Sequence, residues 1–245
     1  LLGGDLAYAN GQDWKRWLDW IEEYADHART ADGLCIPFVV AIGNHEVIGG
    51  YGQTPKEAPL FFNLFPFPEE NSATYAIDLF DDLSVVVLNS NHTQSVESQT
   101  EFLEGALQER QNNKHLFALY HFPAYGIVKG GLEHSVSKSM RKHWTPLFDK
   151  YGLDAAFEND HHLYKRSNLI KDGKVDPSGT LYIGDGAWGV PTRSFRKKDR
   201  WYVAEASPTR HVIEVVIEKD VRTYRAINHE QKVFDEFVDH RDASK

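Results

Sequence analysis

The amino-acid sequence predicts an α/β fold in which two mixed β-sheets pack together and are flanked by helices. In the first two thirds of the chain, amphipathic helical patterns alternate with β-branched apolar runs, as they do where helices connect parallel strands. In the last third, strand patterns follow one another without helical patterns between them, which indicates antiparallel pairing in part of the sheet system. The 245 residues contain no internal repeat and no linker, so we expect a single domain over 1–245.

The first predicted element is an amphipathic helix in "QDWKRWLDWIEEYADHAR". Its apolar residues recur at spacings of three and four, which places one set on a single helical face: Trp14, Trp17, Leu18, Ile21 and Ala25. We expect this aromatic-rich stripe to pack into the protein core.

Two strand regions follow this helix. In "IPFVVAIGNHE", a β-branched run closed by a glycine predicts a strand that is buried on both faces and carries Asn44 and His45 at its carboxyl end. In "ATYAIDLFDDLSVVVLNS", two apolar runs flank Asp81 and Asp82, so we expect a hairpin with these aspartates at the turn.

The middle of the chain alternates helix and strand signals. Ser98 and Glu101 have capping-box spacing, which predicts the start of a helix. The run "HLFALYHFPAY" predicts a strand that ends in His121. Thr145 and Pro146 suit the N-cap and first position of a short helix, and "LDAAFENDHHLYKRS" predicts a further strand with polar groups at its end.

Charge and composition exclude several classes of function. The formal net charge is −9, whereas binding to a phosphate backbone relies on clustered Lys and Arg, so we expect no nucleic-acid partner. The dense basic segment Arg193–Arg200 is interpreted as a solvated loop. No apolar run approaches the roughly 20 residues that a membrane span needs, so we expect no membrane partner. The single cysteine, Cys35, excludes an intrachain disulfide and a cysteine-based metal cluster, and we expect it to be buried.

Polar side chains with oxygen or nitrogen donors follow four successive predicted strands. Ligands bind at the carboxyl ends of strands in such sheets. One histidine at a strand end is more often structural than ligating, but donors at four strand ends together predict a metal or phosphate site. These donors are Asp5, Tyr8, Asn44, His45, His121, Asp160, His161 and His162.

The segments "GDLAY", "GNHE", "ALYH" and "NDHHLYKRS", in this order, resemble the motifs of the purple acid phosphatase branch of the calcineurin-like metallophosphoesterases. Because "SMRKHWTPLFDKYGLDAAF" and "YIGDGAWG" also match, the resemblance covers nearly the whole chain. It implies the αββα sandwich of that superfamily and hydrolysis of phosphate monoesters by in-line attack of a metal-bound hydroxide. It also implies a small phosphorylated substrate, two metal ions (iron with a divalent iron, zinc or manganese), and a secreted or periplasmic protein, although no signal-peptide pattern is present.

The resemblance assigns metal ligands residue by residue. Asp5 corresponds to the carboxylate that bridges the two ions, and Tyr8 and His162 to ligands of the first ion. Asn44 and His121 correspond to ligands of the second ion. Phenolate and carboxylate suit Fe(III), while imidazole and amide donors accept Zn, Mn or Fe(II).

The same resemblance implies three residues that contact the substrate. His45 corresponds to a histidine that stabilises charge on the phosphate, and Asn44 lies beside it in the motif. His134 in "GGLEHSVSKSMR" is the nearest candidate for the general acid, with a register that is loose by about one residue. His45 and His134 are therefore the candidate catalytic residues.

The chain departs from the family pattern in two places. The family has a further metal-binding aspartate in a D-x-G motif upstream of "LLGGDLAY", so we expect the chain to lack its first strand. In the last motif, Asn159 and Asp160 stand where the family has Gly and His. Since Asn tolerates positive φ, we expect the turn to persist.

Asp160 is expected to replace the missing histidine as a ligand of the second ion. Residues two apart in an extended segment face the same way, so Asp160 and His162 should point into the site together. In the alternative, His161 is the ligand and Asp160 orients it.

Two other functions remain open. A phosphodiesterase or nucleotidase would use the same metal core. A weakly active phosphate- or metal-binding relative is the other alternative, because Asp160 replaces a ligand histidine.

Overall fold

The computed structural model describes residues 1–195 and 200–240. Its helices are α1 (Trp14–His27), α2 (Pro59–Leu64), α3 (Thr100–Arg110), α4 (Ser135–His143) and α5 (Thr145–Tyr151). Its strands are β1 (Tyr75–Phe80), β2 (Leu83–Val87), β3 (His115–Leu119), β4 (Ala155–Glu158), β5 (Tyr164–Ser167), β6 (Ile170–Lys171), β7 (Lys174–Val175), β8 (Leu181–Gly184), β9 (Val203–Ser207), β10 (His211–Glu218), β11 (Val221–Asn228) and β12 (Val233–Asp239).

The predicted architecture of packed sheets with flanking helices is confirmed. The large sheet has the strand order β1-β2-β3-β4-β8-β5-β9, and its central strands β2, β3, β4 and β8 run parallel. β1, β5 and β9 pair antiparallel to their neighbours, so this sheet is mixed. The second sheet, β10-β11-β12, is antiparallel throughout, and β6 and β7 form a small separate hairpin.

The core lies on both faces of the large sheet because side chains of a strand alternate between its faces. On β3, Leu116 and Ala118 belong to a cluster that includes α3, α4 and α5, whereas Phe117 and Leu119 face the second sheet. The β10–β11 hairpin closes that side with residues such as Tyr224. The carboxyl ends of the parallel strands therefore meet at one edge between two packed layers.

The hairpin and the helices α1, α3 and α5 form where the sequence predicts them, although the N-cap of α5 is Trp144 and not Thr145. Asp81 and Asp82 connect β1 and β2. The capping box is wrong: α3 begins at Thr100, and the Ser98 hydroxyl instead donates to the Ser95 carbonyl oxygen at 2.9 Å. The helix nevertheless forms, because Leu103, Ala106 and Leu107 are buried on one face.

The apolar stripe of α1 is only partly buried, contrary to the prediction. Trp17 is 1% exposed and packs with Val40 and Phe61, whereas Trp14 and Leu18 are 55% and 48% exposed. Helical periodicity shows which residues share a face, but it does not show how wide the neighbouring element is. The prediction that Cys35 is buried is also wrong, since it is exposed.

The segment predicted as a strand in "IPFVVAIGNHE" is buried from Val39 to Ile42, but it pairs at one point only. Leu2 lies parallel to it, donating to Val39 O at 2.8 Å and accepting from Ala41 N–H at 2.9 Å. On the other side, the Tyr75 hydroxyl donates to Val40 O at 2.8 Å. A side chain thus takes the hydrogen bond that a neighbouring strand would form.

Two sequence expectations concern surface and membrane. Within the predicted loop Arg193–Arg200, residues 196–199 lie outside the described residues, so most of that prediction stays open. Among the helices of the described part of the chain, none has the length and apolar character needed to cross a membrane.

Candidate metal centre

The candidate ligands lie together at the carboxyl edge of the parallel strands. His121 follows β3, and Asp160 follows β4. Asp5 follows the segment of Leu2, and Asn44 follows Val39–Ile42 in a short 3-10 turn. Four chain segments that are far apart in sequence thus deliver side chains to one place, as expected for this class of sheet.

Two glycines allow the first two of these segments to touch. Gly4 has φ +87, and a Cβ there would come within 2.5 Å of the Gly43 nitrogen. A Cβ on Gly43 would come within 2.4 Å of Asp5 Oδ1. Any larger residue at either position would separate the loops that carry Asp5 and Asn44.

Glu46 holds the same two loops together through hydrogen bonds to their backbone. Its fully buried carboxylate accepts hydrogen bonds from the backbone N–H of Asp5 (2.6 Å), Leu6 (2.9 Å) and Gly43 (2.8 Å). Burial, together with the nearby charge of Asp5, raises the pKa of Glu46 to about 7. Glu46 belongs to the "GNHE" segment, but its role was not predicted from the sequence.

His121 Nε2 is the point on which the donors converge. It lies 3.2 Å from Asp5 Oδ2, 3.3 Å from Asn44 Oδ1 and 3.4 Å from Asp160 Oδ1. Its Nδ1 lies 2.7 Å from Gly3 O, so Nδ1 carries a proton that orients the ring. Burial opposes protonation of this ring, but the charges of Asp5 and Asp160 raise the pKa of His121 well above its ordinary value.

A second pair of predicted ligands lies beside this group. The Tyr8 hydroxyl is 3.1 Å from His162 Nε2. Asp5, Tyr8 and His162 all adopt positive φ, at 57°, 51° and 57°. Such backbone conformations are uncommon for residues other than glycine and cluster at functional sites. Burial and the charge of Asp5 raise the pKa of the Tyr8 phenol.

His45 contacts Asp5 directly. Its backbone N–H donates to Asp5 Oδ1 at 2.7 Å, and its Nε2 lies 3.8 Å from Asp5 Oδ2. The ring lies 4.1 Å from the Tyr8 ring, between centroids, and Nδ1 contacts Asn10. Burial lowers the pKa of His45, so the ring favours its neutral form.

The turn between β4 and β5 differs from the expected extended segment. Asp160 faces His121 and His162 faces Tyr8, but the chain turns between them and His162 is the residue with positive φ. Asn159 does not adopt positive φ, contrary to the prediction. Its side-chain amide instead donates to Tyr120 O at 2.9 Å. The Asn159 side chain fills the space that a Cβ on Gly3 would occupy.

His161 lies behind Asp160. Its backbone N–H donates to Asp185 Oδ1 at 2.8 Å, and its ring Nδ1 lies 3.3 Å from Asp185 Oδ2. Its Nε2 lies 3.7 Å from Asp160 Oδ2 and has no hydrogen-bond partner among the described residues. Both arrangements of this motif that the sequence allows therefore stay open.

His134 is less close to the group than the other candidates. It is the N-cap of α4, where its Nδ1 accepts from Val136 N–H at 3.3 Å. Its ring lies 4.4 Å from the Phe122 ring, between centroids. Burial and the neighbouring His161 lower its pKa.

Three residues that the sequence analysis missed also reach this site. The Tyr51 hydroxyl lies 3.1 Å from Asn44 Oδ1 and 3.3 Å from Asp160 Oδ1, and its single proton can be donated to either oxygen. Lys129 Nζ donates to both oxygens of Asp160, at 2.7 and 2.6 Å. Burial and, to a smaller degree, the charge of Arg193 lower the pKa of His162. The Nη1 atom of Arg193 is buried and has no hydrogen-bond partner among the described residues.

The residues present fit a metal ion. Asp5, His121 and Asp160 each offer one ligand atom, and the three atoms lie within 4.8 Å of one another. Carboxylate and imidazole donors are the usual ligands of Zn, Mn and Fe in proteins. Of the three, Asp160 also forms an ion pair with Lys129.

A family model described as "Calcineurin-like phosphoesterase" matches residues 1–185. The chain therefore belongs to the calcineurin-like phosphoesterase family. Its relatives show that, within this family, it is purple acid phosphatase-like. Purple acid phosphatase 15 of Arabidopsis thaliana is 30% identical over an alignment of 159 residues that covers 62% of this chain and 29% of that protein. Purple acid phosphatase 18 of the same plant is 25% identical over an alignment of 197 residues that covers 76% of this chain and 43% of that protein.

The fold is also shared with solved structures. The purple acid phosphatase PPD1 from yellow lupin (Lupinus luteus) seeds superposes with a TM-score of 0.78 at 19% identity, covering 98% of this chain and 46% of that one. GAP50, the anchor in the inner membrane complex of Plasmodium, has a TM-score of 0.65 at 11% identity, covering 96% of this chain and 73% of that one. The chain spans less than half the length of the two plant relatives named above.

Proposed function

We propose that this protein hydrolyses small phosphate monoesters at a centre with two metal positions, within one catalytic domain over 1–245. The observation that carries the proposal is the convergence of Asp5, Asn44 and Asp160 on His121 Nε2, at 3.2 to 3.4 Å. Membership of a phosphoesterase family supports a phosphorylated substrate. We further propose that the protein is secreted or periplasmic, as its resemblance to purple acid phosphatases implies.

The ligands are proposed as follows. Asp5, whose Oδ2 lies 3.2 Å from His121 Nε2 and whose charge, together with burial, raises the pKa of Tyr8, is the proposed bridging residue, with Tyr8 and His162 in the first position. Asn44, His121 and Asp160 form the second position. Iron with a divalent iron, zinc or manganese suits these donors. When bound, such ions lower the pKa of water towards neutrality and stabilise charge on the phosphoryl oxygens.

His45 and His134 are proposed to act on the substrate. His45 is fixed by Asp5 and by Asn10 Oδ1, which accepts from its Nδ1–H, and its Nε2 stabilises charge on a phosphoryl oxygen when that nitrogen is also protonated. In His134, Nδ1 accepts the helix-capping hydrogen bond, so Nε2 carries the proton that a leaving group would take. Asn44, which lies 3.3 Å from His121 Nε2, and Arg193, whose charge, together with burial, lowers the pKa of His162, are proposed to contact the phosphate.

His134→Asn is expected to lower kcat by about 10²- to 10⁴-fold, the range for loss of a general acid. Asparagine is a good N-cap, so α4 should keep its start. Metal content should not change, and His27→Ala, in an exposed histidine at the end of α1, is the control. Unchanged kcat with loss of metal would show instead that His134 is a ligand.

Tyr8→Phe is expected to bleach the oxidised protein. If the Tyr8 phenolate binds Fe(III), a phenolate-to-iron charge-transfer band colours the protein, and phenylalanine removes the donor oxygen. Tyr51→Phe is a matched control, because its hydroxyl contacts Asn44 and Asp160 but is not a proposed ligand. Absorption spectra of iron-loaded proteins decide the matter, and a colourless, active, iron-loaded protein would refute this role of Tyr8.

The function itself is tested by metal analysis of the purified protein together with hydrolysis of an aryl phosphate. Metal-dependent turnover of the monoester, exceeding that of the matching bis-aryl phosphate, is the expected result. Preference for the diester would instead indicate the phosphodiesterase alternative.

A weakly active phosphate- or metal-binding relative is the second candidate. The observation in its favour is the ion pair between Lys129 and Asp160, because it engages a proposed ligand. Stoichiometric metal binding without turnover of either aryl substrate would support this candidate.

A further inference from the structure

Asp160 and Lys129 form an ion pair within the candidate metal centre. Lys129 Nζ lies 2.7 Å from Oδ1 and 2.6 Å from Oδ2 of Asp160, so one ammonium spans both carboxylate oxygens. The Asp160 side chain is 1% exposed, and water therefore cannot solvate its charge. The ammonium therefore binds the carboxylate whose Oδ1 lies 3.4 Å from His121 Nε2.

The fold positions Lys129 beside Asp160. Its loop is hydrogen-bonded to the residue that follows Asp160, since Ile127 N–H donates to His161 Nδ1 at 3.3 Å. The Tyr202 hydroxyl donates to Gly126 O at 2.9 Å and fixes the start of the loop. Asp160 and the backbone that carries Lys129 are thus held as one unit.

The ammonium can nevertheless leave without a change in the fold. The Lys129 side chain is 33% exposed, and its four-carbon stem can rotate towards solvent. Its ring neighbour Phe122, whose centroid is 5.9 Å from Nζ, contacts it without a hydrogen bond. Asp160 is therefore open to exchange between an ammonium and another cation.

We propose that Lys129 is an internal competitor for the second metal position: its ammonium holds Asp160 and must be displaced before a metal ion binds there. This inference rests on the proposed function, since it takes Asp160 as a ligand of that position. Lys129 then lowers the metal affinity of the second position without lowering that of the position near Tyr8 and His162. The protein holds one ion firmly and a second one only at higher metal concentration.

The test is a titration of the metal-free protein with Mn²⁺ alone, in wild type and Lys129→Met. Wild type should show a tight and a weak site, and Lys129→Met should tighten the weak site by about 10- to 100-fold, the worth of a hydrogen bond to a charged group. The tight site should change by less than about threefold. Lys138→Met removes a charge of the same sign from a lysine that pairs with Glu133, and it should change neither site.

A double-mutant cycle separates the ion pair from a general charge effect. In an Asp160→Asn background, the anion that holds Lys129 is absent, so Lys129→Met should add no tightening. Lys129→Arg keeps the charge and should retain the weak site. Tightening in Lys129→Met but not in Lys129→Arg would then come from the loss of the charge and not from a folding defect. Thermal melts confirm that each variant is folded.

Three results would overturn the inference. Two equally tight Mn²⁺ sites in wild type, unchanged in Lys129→Met, would remove the competition but leave the proposed function standing. Equal tightening in the presence and absence of the Asp160 carboxylate would show that only distant charge matters. Absence of Mn²⁺ binding in every variant would end both the inference and the proposed function.

Discussion

Asp5→Asn is expected to lower turnover of an aryl phosphate by about 10³-fold or more, the scale seen when a principal electrostatic element is removed. The two Asp5 oxygens are used in different directions: Oδ1 accepts the His45 N–H at 2.7 Å, and Oδ2 lies 3.2 Å from His121 Nε2. An amide has one oxygen and no charge, so it cannot bridge two cations. Steady-state kinetics and metal content of the purified variant measure the effect.

The control for this change is Asp13→Asn. Asp13 is the N-cap of α1, and asparagine caps a helix as well as aspartate does, so activity and stability should both persist. If Asp5 only capped a turn, asparagine would cap it nearly as well, and both the stability and the rate would stay near normal. A folded Asp5→Asn protein with normal turnover would therefore exclude the bridging role.

The parts of the fold that depend on local periodicity could be predicted from the sequence. The β1–β2 hairpin and β3 follow from short apolar runs, because alternation within a strand is set by the pleat itself. The stripe of α1 was predicted on the correct helix, but the extent of its burial was wrong, because burial depends on what packs against Trp14 and Leu18. The single bridge between Leu2 and Val40 is likewise set by partners distant in sequence.

The candidate site was predictable where it rests on strand ends and motifs. Asp5, Asn44, His121 and Asp160 were all selected from the sequence, and the structure brings them within reach of one nitrogen. Lys129 was not selected, because it lies 31 residues from Asp160 and belongs to no motif. A pair of this kind becomes visible only when the loops are placed in space.

The backbone at the site could not be predicted either. Among residues other than glycine, asparagine is one of those that best tolerate positive φ, which favoured Asn159, yet His162 adopts it. The cause is tertiary: the Asn159 amide is tied to Tyr120 O, and the His162 ring must reach Tyr8. Local propensity gave way to these longer-range contacts.

A buried ion pair beneath this turn leads to the largest expected effect on stability. Glu158 ends β4 and Lys165 lies in β5, on the two sides of the turn that carries Asp160, and both side chains are fully buried. Lys165 Nζ donates to the Glu158 carboxylate and to Tyr125 O, the latter at 3.1 Å. Burial opposes the charge of Lys165, but Glu158 and Asp185 raise its pKa, so the lysine stays charged.

Lys165→Met is expected to lower the free energy of unfolding by about 3–5 kcal/mol, because it leaves the buried carboxylate of Glu158 without its cation. Urea denaturation of the metal-free protein measures this loss directly. Lys150→Met is the matched control: that lysine pairs with Glu104 at the surface, where water replaces the partner, and little change is expected.

The double variant Glu158→Gln with Lys165→Met tests the cause of the loss. If the uncompensated carboxylate is responsible, neutralising it should restore part of the stability, since an amide can still accept from the Tyr120 hydroxyl and Ala124 N–H. If the loss came only from the removed lysine contacts, the double variant would be no more stable than Lys165→Met. A small loss in Lys165→Met, similar to that in Lys150→Met, would mean that the turn bearing Asp160 does not depend on this ion pair.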